Sequence, residues 1–244
     1  MEDHRKTALA FCEQDPLWHV DIAECLKRGG KIHYATENAL LVEHTASGIL
    51  MFAAKDKESG ITALASVGFD ELTKTVRWLV AREGAAREAV YAYLPVSKQT
   101  ECFQIAYLGK ELPELSGALR FQRAQREEVE TIKQNYSLES PENIERLAAA
   151  GVLACAFDQE ENFVGFIGEH PEGSMGMLHV FPQYRRRGYA EEIEKYLCRR
   201  YLSEGRVPYG HVITDNAPSL ALQKKLGCDV AEKKIYWLRI EKNQ

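Results

Sequence analysis

The chain lacks the features that mark exported, membrane-spanning and disulfide-stabilised proteins. Its six cysteines lie far apart with no CxxC pair, and most stand among apolar neighbours, as buried free thiols do. Residues 1–20 are charged and contain no apolar signal segment. No run approaches the ~20 apolar residues that cross a membrane. We therefore expect a soluble, cytoplasmic protein with reduced cysteines.

The chain also lacks an excess of positive charge. Its net charge is −5, which gives no general attraction to nucleic acid or to an anionic membrane. The seven histidines show no HxxxH motif and no His/Cys pairing at ligand spacing. We expect no metal, no nucleic-acid partner and no membrane partner, and any phosphate-bearing ligand would need a local basic cluster.

The length and composition are those of an ordinary globular protein. The chain has 244 residues, of which 45% are hydrophobic and 27% charged. Two domains of roughly 120 residues fit this length better than one. The segment "GKELPELSGA" interrupts the periodic pattern with Pro113, Ser116 and Gly117. We place the domain boundary there, which gives domains 1–116 and 117–244.

The first domain is expected to mix helices and strands. The pattern predicts a helix at 20–27 and a hairpin in "ALLVEHTASGILMFAA". It further predicts a helix from Asp70 to Gly84, a short strand in "AVYAYLP" and a helix in "KQTECFQIAYLGK".

The second domain is easier to interpret, with the predicted order β-α-α-β-β-β-α-β-α-β. Ser140 and Pro141 are typical of a helix start. A longer helix is predicted at 188–203, because four apolar or aromatic residues recur on one face at helical spacing. These are Ile193, Tyr196, Leu197 and Tyr201.

Three arginines stand between a predicted strand and this helix, in "FPQYRRRGYAEE". The first N–H groups of a helix have no intrahelical partner and carry the positive end of the macrodipole, so they bind phosphate oxygens. Gly188 has no Cβ to keep an anion away from the main chain, and arginines add forked donors. The alternative is a solvated basic turn before a surface helix, and the turn alone does not decide between the two.

The spacing Arg185-x-x-Gly188-x-Ala190, five residues after Val180, resembles the R/Q-x-x-G-x-G/A motif of the GNAT superfamily of acyl-CoA-dependent N-acyltransferases. In that superfamily the loop cradles the pyrophosphate of coenzyme A. "YGHVITDNAPSLALQKKLGC" is similar to the strand and helix that follow, with Asn216 at the helix start and Gly227 at its end. The resemblance covers about 119–240 and is closest to the FR47-like and glycine N-acyltransferase-like branch.

The resemblance implies a mixed-sheet α/β (α+β) fold, with a GNAT domain in the C-terminal half. That branch often carries a decayed copy of the same fold in front. Residues 1–116 have a compatible order of elements but no R-x-x-G-x-A, so we expect a smaller, degenerate GNAT-like α/β domain that does not bind acyl-CoA. The alternative is an unrelated α+β domain.

The resemblance also implies an N-acyltransferase, most simply an acetyltransferase. It would move an acyl group from acetyl-CoA or another short acyl-CoA to the amine of a small molecule or amino acid, as a monomer or homodimer. Leu178 and Val180 would take the pantetheine and acyl carbonyl through their main chain. The expected cofactor-binding residues are Leu178, Val180, Arg185, Arg186, Arg187, Gly188, Tyr189, Ala190, Asn216 and Ser219.

The proton carriers depart from the superfamily pattern. Gln223 stands where the general-acid tyrosine is usual, and Ser174 where the base is usual. Glu172, Glu169 and His170 lie just upstream and could relay a proton through water, with Glu172 as the leading candidate, or could simply solvate the turn.

Three further residues are candidates for the site. Strand alternation places His179 opposite Leu178 and Val180, unless a bulge intervenes. Tyr209 and His211 share a strand face and could line the acceptor cleft. Because Gln223 has no proton to give, a non-catalytic acyl-CoA-binding or sensing module is the alternative function.

Overall fold

Residues 2–242 are described by a computed structural model that contains both helices and strands. The helices are α1 (Glu2–Cys12), α2 (Val20–Lys27), α3 (Lys57–Val67), α4 (Phe69–Thr75), α5 (Ala85–Tyr93), α6 (Arg126–Asn135), α7 (Pro141–Ala149), α8 (Tyr189–Ser203) and α9 (Ala217–Lys225). The strands are β1 (Lys31–Ala35), β2 (Ala39–His44), β3 (Ile49–Ala54), β4 (Trp78–Arg82), β5 (Val96–Ala106), β6 (Arg120–Arg123), β7 (Ala154–Phe157), β8 (Phe163–Glu169), β9 (Met175–Val180), β10 (Tyr209–Ile213) and β11 (Asp229–Ile240).

The chain divides into two units, and the first is discontinuous in sequence. Within the described residues it comprises 2–106, 211–219 and 229–242. The second comprises 107–210 and 220–228. The last strand, β11, belongs to the first unit because it pairs with β4 and β5. Compact units defined by packing need not coincide with domains, so the boundary between residues 116 and 117 stays a prediction.

The first unit is built on a mixed sheet. Strands β1, β2 and β3 form an antiparallel meander, which confirms the predicted hairpin, and β3 then pairs in parallel with β4. The strand order is β1-β2-β3-β4-β11-β5-β10. A mixed α/β fold with a mixed sheet is therefore confirmed.

Three predictions for this half are wrong. The segment from Asp70 to Gly84 is α4 followed by β4, whose Leu79, Val80 and Ala81 are all buried. A strand covered on both faces shows no alternation and is easily taken for a helix. The predicted strand "AVYAYLP" lies mostly in α5, and the predicted helix "KQTECFQIAYLGK" lies mostly in β5.

In the first unit, β3 and β4 pair in parallel and are joined by α3 and α4. The Asp56 carboxylate caps α3 by accepting from the Ser59 N–H at 2.7 Å, so an anion already stands at this helix N-terminus. Residues 50–52 pair with 79–81 in unbroken register. That the first domain does not bind acyl-CoA stays a prediction.

The second unit is a four-stranded antiparallel sheet, β6-β7-β8-β9, with helices on both faces. Helix α8 packs on one face through Ile193, Leu197 and Tyr201, and its Tyr196 stacks on Phe121 with ring centroids 4.1 Å apart. The predicted apolar face of this helix is thus confirmed. The opposite face carries α6 and α7 through Val129, Ile132, Ile144 and Leu147.

A buried charge network lies in the first unit. The Arg82 guanidinium and the Asp21 carboxylate are both fully buried and form an ion pair. The Arg82 Nε also donates to His19 Nδ1 at 3.2 Å. Desolvation alone would raise the pKa of Asp21, but Arg82 and His211 hold it well below its usual range.

Three further observations concern the described residues as a whole. All six cysteines are buried and free. Within residues 2–242 no helix has the length and apolar character needed to cross a bilayer. In the same range, no group of His, Cys, Asp and Glu side chains is arranged to hold a metal ion.

We predict that Asp21→Ala lowers the free energy of unfolding by about 3–5 kcal/mol, because it leaves the Arg82 charge buried without a partner. Urea denaturation measures this change. The control is Arg120→Gln, which breaks an exposed pair with Glu161 and should change stability far less. Equal effects of the two substitutions would contradict the prediction.

Candidate active site

Strand β9 lies at the edge of its sheet and contains a bulge. It pairs with β8 on one side only, among the described strands. The register shifts between Phe166 and Gly168 of β8, opposite Met177 and Leu178. Met177 has φ +56°, a left-handed conformation that is uncommon for a residue other than glycine. One extra residue in β9 therefore interrupts the ladder.

The bulge decides which β9 side chains face α8. Met175 packs on the α8 side, whereas Met177 packs on the α6–α7 side. After the bulge the alternation is inverted, so that Leu178 and Val180 return to the α8 side. His179 faces the other way and stacks on Phe166 with ring centroids 5.2 Å apart. The predicted facing of His179 is thus observed, and burial together with Arg185 lowers its pKa.

The main chain of Val180 points away from β8. Phe181 N–H donates to Val164 carbonyl O at 3.0 Å, so its neighbour Val180 directs its own N–H and C=O to the open edge. Alternation gives Leu178 the same orientation. The two residues expected to hold pantetheine therefore present main-chain groups along an unpaired edge.

The arginine turn follows β9 directly. After a 3-10 turn at Pro182–Tyr184, Arg186 and Gly188 both have positive φ, +62° and +82°. The Arg185 Nε donates to the Val180 carbonyl at 2.9 Å, which ties the turn to the strand end. Arg185, Arg186 and Arg187 are all exposed. The turn thus places three guanidinium groups beside the start of α8.

The N-terminus of α8 is not capped by a side chain. Gly188 is the N-cap residue, and the Glu192 N–H donates to its carbonyl at 3.3 Å. The acids of the first turn are bound elsewhere. Glu191 pairs with Lys195 and Lys225, and the Glu192 carboxylate accepts from the main chain of residues 116 and 117. No side chain of the first turn therefore folds back onto the free amides at the helix start.

Tyr189 and Ala190, the remaining predicted loop residues, are half-buried and pack against the α8 side of the core. A Cβ placed on Gly188 would meet open space. Glycine is needed there for its positive φ, and the absent side chain leaves the approach to the first-turn amides clear.

The predicted catalytic pair, Glu172 and Ser174, is buried in the β8–β9 turn. Their exposed fractions are 1% and 0%, and the Ser174 Oγ donates to Glu172 Oε1. The Tyr209 hydroxyl donates to the Glu172 carbonyl at 3.1 Å. Glu169 is bound to Arg200 and Arg206, so it is committed to a structural ion pair.

The other predicted residues lie in the first unit or are enclosed. Tyr209 is fully buried. His211 is bonded to Gln104 at 3.2 Å and accepts from the Trp237 Nε1 at 3.1 Å. An acceptor-lining role for Tyr209 and His211 stays a prediction. Asn216 Oδ1 accepts from the Ser219 N–H at 3.2 Å, so Asn216 caps α9 as predicted.

Two pairs of side chains were not found from the sequence. Glu139, between α6 and α7, is hydrogen-bonded to His170 at 3.1 Å. Glu194 of α8 accepts from the Gln223 Nε2 at 2.5 Å. The partners lie 31 and 29 residues apart, and no local pattern connects them. A charged residue on the apolar face of the predicted helix was the available signal for Glu194.

Comparison with known proteins agrees with this geometry. The profile of the FR47-like protein family matches residues 156–238. No curated protein matches the chain.

Solved structures share the fold at low sequence identity. A protein from Drosophila matches with 15% identity and a TM-score of 0.61, over 84% of this chain and 75% of its own. A protein from Novosphingobium aromaticivorans assigned to the GNAT acetyltransferase family matches with 18% identity and a TM-score of 0.56, over 94% and 97%. A GCN5-related N-acetyltransferase from Kribbella flavida matches with 12% identity and a TM-score of 0.55, over 92% and 94%. The chain has the GNAT fold, and its residues 156–238 match the profile of the FR47-like family.

Proposed function

We propose that the protein is an N-acyltransferase that moves an acyl group from acetyl-CoA or another short acyl-CoA to the amine of a small molecule or amino acid. One observation carries the proposal: an uncapped helix N-terminus, flanked by three exposed arginines, directly follows a bulged edge strand. Amides, helix dipole and guanidinium groups together form a site for a diphosphate. A cytoplasmic location, and a monomer or homodimer, are further proposals that rest on the sequence alone.

In the proposed complex, the pyrophosphate accepts hydrogen bonds from the turn of Arg186 to Ala190. The pantetheine lies along the open edge of β9, where Leu178 and Val180 direct their main-chain groups. Arg185 holds the Val180 carbonyl, so the Val180 N–H is the group left to polarise the acyl carbonyl. A donor placed where negative charge develops contributes roughly 3–4 kcal/mol to catalysis.

The amine attacks the thioester directly, forming the C–N bond as the C–S bond breaks. Glu172 and Ser174 stay candidates for proton transfer, although their burial means that a proton would reach them through water. Asn216 and Ser219 stay candidates for cofactor contact. Tyr209 and His211 stay candidates for the acceptor side.

A non-catalytic acyl-CoA-binding module is the second candidate function, and Gln223 is the observation that favours it. This side chain is buried, with 4% exposed, and its amide is bonded to Glu194 and Cys228. An amide has no proton to give to a departing thiolate.

Incubation with acetyl-CoA and a panel of primary amines, with free thiol as readout, separates the two functions. We expect acceptor-dependent thiol release, because the site presents both a cofactor cradle and an open strand edge. Calorimetry in parallel measures CoA affinity. Tight CoA binding with no thiol release above background from any amine would favour the binding module instead.

Gly188→Val should weaken CoA binding at least tenfold, because a branched side chain disfavours φ +82° and covers the first-turn amides. Gly205→Val is the matched control. Gly205 ends the same helix with φ +70° and open space around its Cβ position. Its substitution should reduce stability to a similar degree yet retain CoA affinity in calorimetry. Equal affinities of the two variants for CoA would refute the diphosphate cradle.

Glu194 is the carboxylic acid that contacts Gln223, and its environment favours the protonated form. It is buried, and its second oxygen has no hydrogen-bond partner among the described residues. Burial raises the pKa of Glu194 to about 7, with the Gln223 hydrogen bond opposing the shift. The folded chain therefore holds a proton at Glu194 that the unfolded chain, with an ordinary pKa of 4.5, has lost by neutral pH.

We therefore predict a pH-dependent difference between wild type and Glu194→Gln. The stability that the protonated carboxyl contributes is complete below about pH 4.5 and is lost as the pH rises through about 7. Relative to the variant, the wild-type free energy of unfolding should fall by roughly 3 kcal/mol across this window. Urea denaturation at a series of pH values measures the difference. Glu114→Gln, in an exposed loop, controls for formal charge, and parallel profiles for wild type and Glu194→Gln would exclude the shift.

A further inference from the structure

The imidazole of His170 lies over the start of the edge strand. His170 follows β8, and its ring covers Gly176 of β9 so closely that a Cβ on Gly176 would clash with the ring atoms Nε2 and Cδ2. Gly176 directly precedes the bulge residue Met177, and Leu178 follows. The glycine therefore makes room for an imidazole beside the segment where the ladder opens.

Glu139 fixes the orientation of this ring. Its Oε1 is bonded to His170 Nδ1 at 3.1 Å, and its Oε2 accepts from the Asn143 Nδ2 at 3.0 Å. With both oxygens engaged, the carboxylate holds a neutral imidazole in the tautomer that carries its proton on Nδ1. The lone pair of the neutral ring is then on Nε2, the ring nitrogen that lies over Gly176.

The charges around His170 favour its protonated form. Burial alone lowers the pKa of His170, but the Glu139 hydrogen bond and the charges of Glu172 and Glu139 raise it above its ordinary value. Tyr136 and Arg146 are the other titratable groups close to this cluster, through their interactions with Glu139. A proton accepted at Nε2 would therefore be stabilised by two carboxylates.

His170 is also more accessible than the catalytic candidates found from the sequence. Its side chain is 29% exposed, whereas Glu172 and Ser174 are almost completely buried. A group that exchanges a proton with a bound amine must come within hydrogen-bond reach of it. His170 is thus a side chain of this turn that solvent reaches in the folded chain.

We propose that His170 is the proton acceptor for the ammonium group of the acyl acceptor and that Glu139 is its positioning residue. This inference rests on the proposed acyl transfer. Neutral Nε2 takes one proton from R–NH3+ and leaves R–NH2, whose lone pair forms the C–N bond with the acyl carbon. The C–S bond breaks, the departing sulfur takes the second proton of the amine, and the imidazolium returns its proton to water.

The first test is a titration of the His170 ring by NMR in the full chain, with the signal assigned by its loss in His170→Gln. In the wild type the pKa of His170 should lie above the ordinary value. Glu139→Gln should lower it, and Glu172→Gln should lower it less. Glu43→Gln is the matched control, because Glu43 holds His33 at 2.7 Å elsewhere in the chain and should leave the His170 titration unchanged.

The second test compares kcat/KM against pH for an active amine. We expect His170→Gln to lose about 10²-fold or more in kcat/KM at neutral pH, together with the acidic limb of the profile. In Glu139→Gln the acidic limb should move to lower pH in step with the NMR titration. Gly176→Ala, which displaces the ring without removing a titratable group, should reduce turnover and shift the His170 signals while CoA affinity is retained.

The outcomes separate the two levels of inference. Two results would overturn the roles of His170 and Glu139 but not the proposed function. One is a pH profile of kcat/KM that keeps its acidic limb in His170→Gln. The other is a His170 pKa that is unchanged in Glu139→Gln. A wild type that transfers nothing, with a His170 titration that still depends on Glu139, overturns the proposed function and with it the proton transfer, leaving a structural ion pair. The proposal is supported if Glu139→Gln lowers both the pKa of His170 and the pH of the acidic limb of kcat/KM.

Discussion

The second unit depends on a single extra residue in strand β9. Without the bulge at Met177, regular alternation from Met175 would turn residues 177 and 179 toward α8 and residues 178 and 180 away from it. Because of the extra residue, Leu178 and Val180 face α8 and Met177 faces the α6–α7 layer. The unpaired edge of the strand carries main-chain donors and acceptors. A left-handed methionine is unfavourable on its own, and the dense packing on both sides of the strand compensates for it.

The electrostatic character of the site is local and does not follow the net charge. The chain is acidic overall, yet three exposed arginines directly precede α8, and its two first-turn glutamates are bound by lysines and by main-chain amides. At the other end of β9, carboxylates gather around one imidazole. Strand β9 thus runs from a region suited to a cation to a region suited to an anion, which is the polarity required when an ammonium and a diphosphate ligand meet along one strand.

Much of the second half could be predicted from the sequence, because local signals there agree with one another. Ser140, Asn216 and the apolar face of α8 each mark an element that the structure contains. Less of the first half could be predicted from the sequence. Its strand β4 is a central strand, and its continuous apolar run lacks the alternation of apolar and polar residues that indicates a strand. No local pattern in the sequence indicates that the last strand, β11, lies between β4 and β5 in the sheet.

The candidate site divides in the same way. The arginine turn is contiguous in sequence, and its Arg185-x-x-Gly188-x-Ala190 spacing could be recognised directly. The Glu139–His170 pair joins a loop between two helices to the end of a strand, so only the tertiary structure brings the two side chains together. Gln223 could be seen to lack a proton, but its contact with Glu194 could not be anticipated from spacing.

The burial of the cysteines has a practical consequence for chemistry at this site. Desolvation raises the pKa of Cys12, Cys25, Cys102, Cys155 and Cys198 to about 12, and Cys228 is buried as well. Since the thiolate is the reactive form, we expect the folded chain to react slowly with sulfhydryl reagents. We therefore expect the thiol that a colorimetric reagent detects, while the chain is folded, to be that of free coenzyme A. A slow rise in labelling of the protein would instead measure the rate at which the core unfolds.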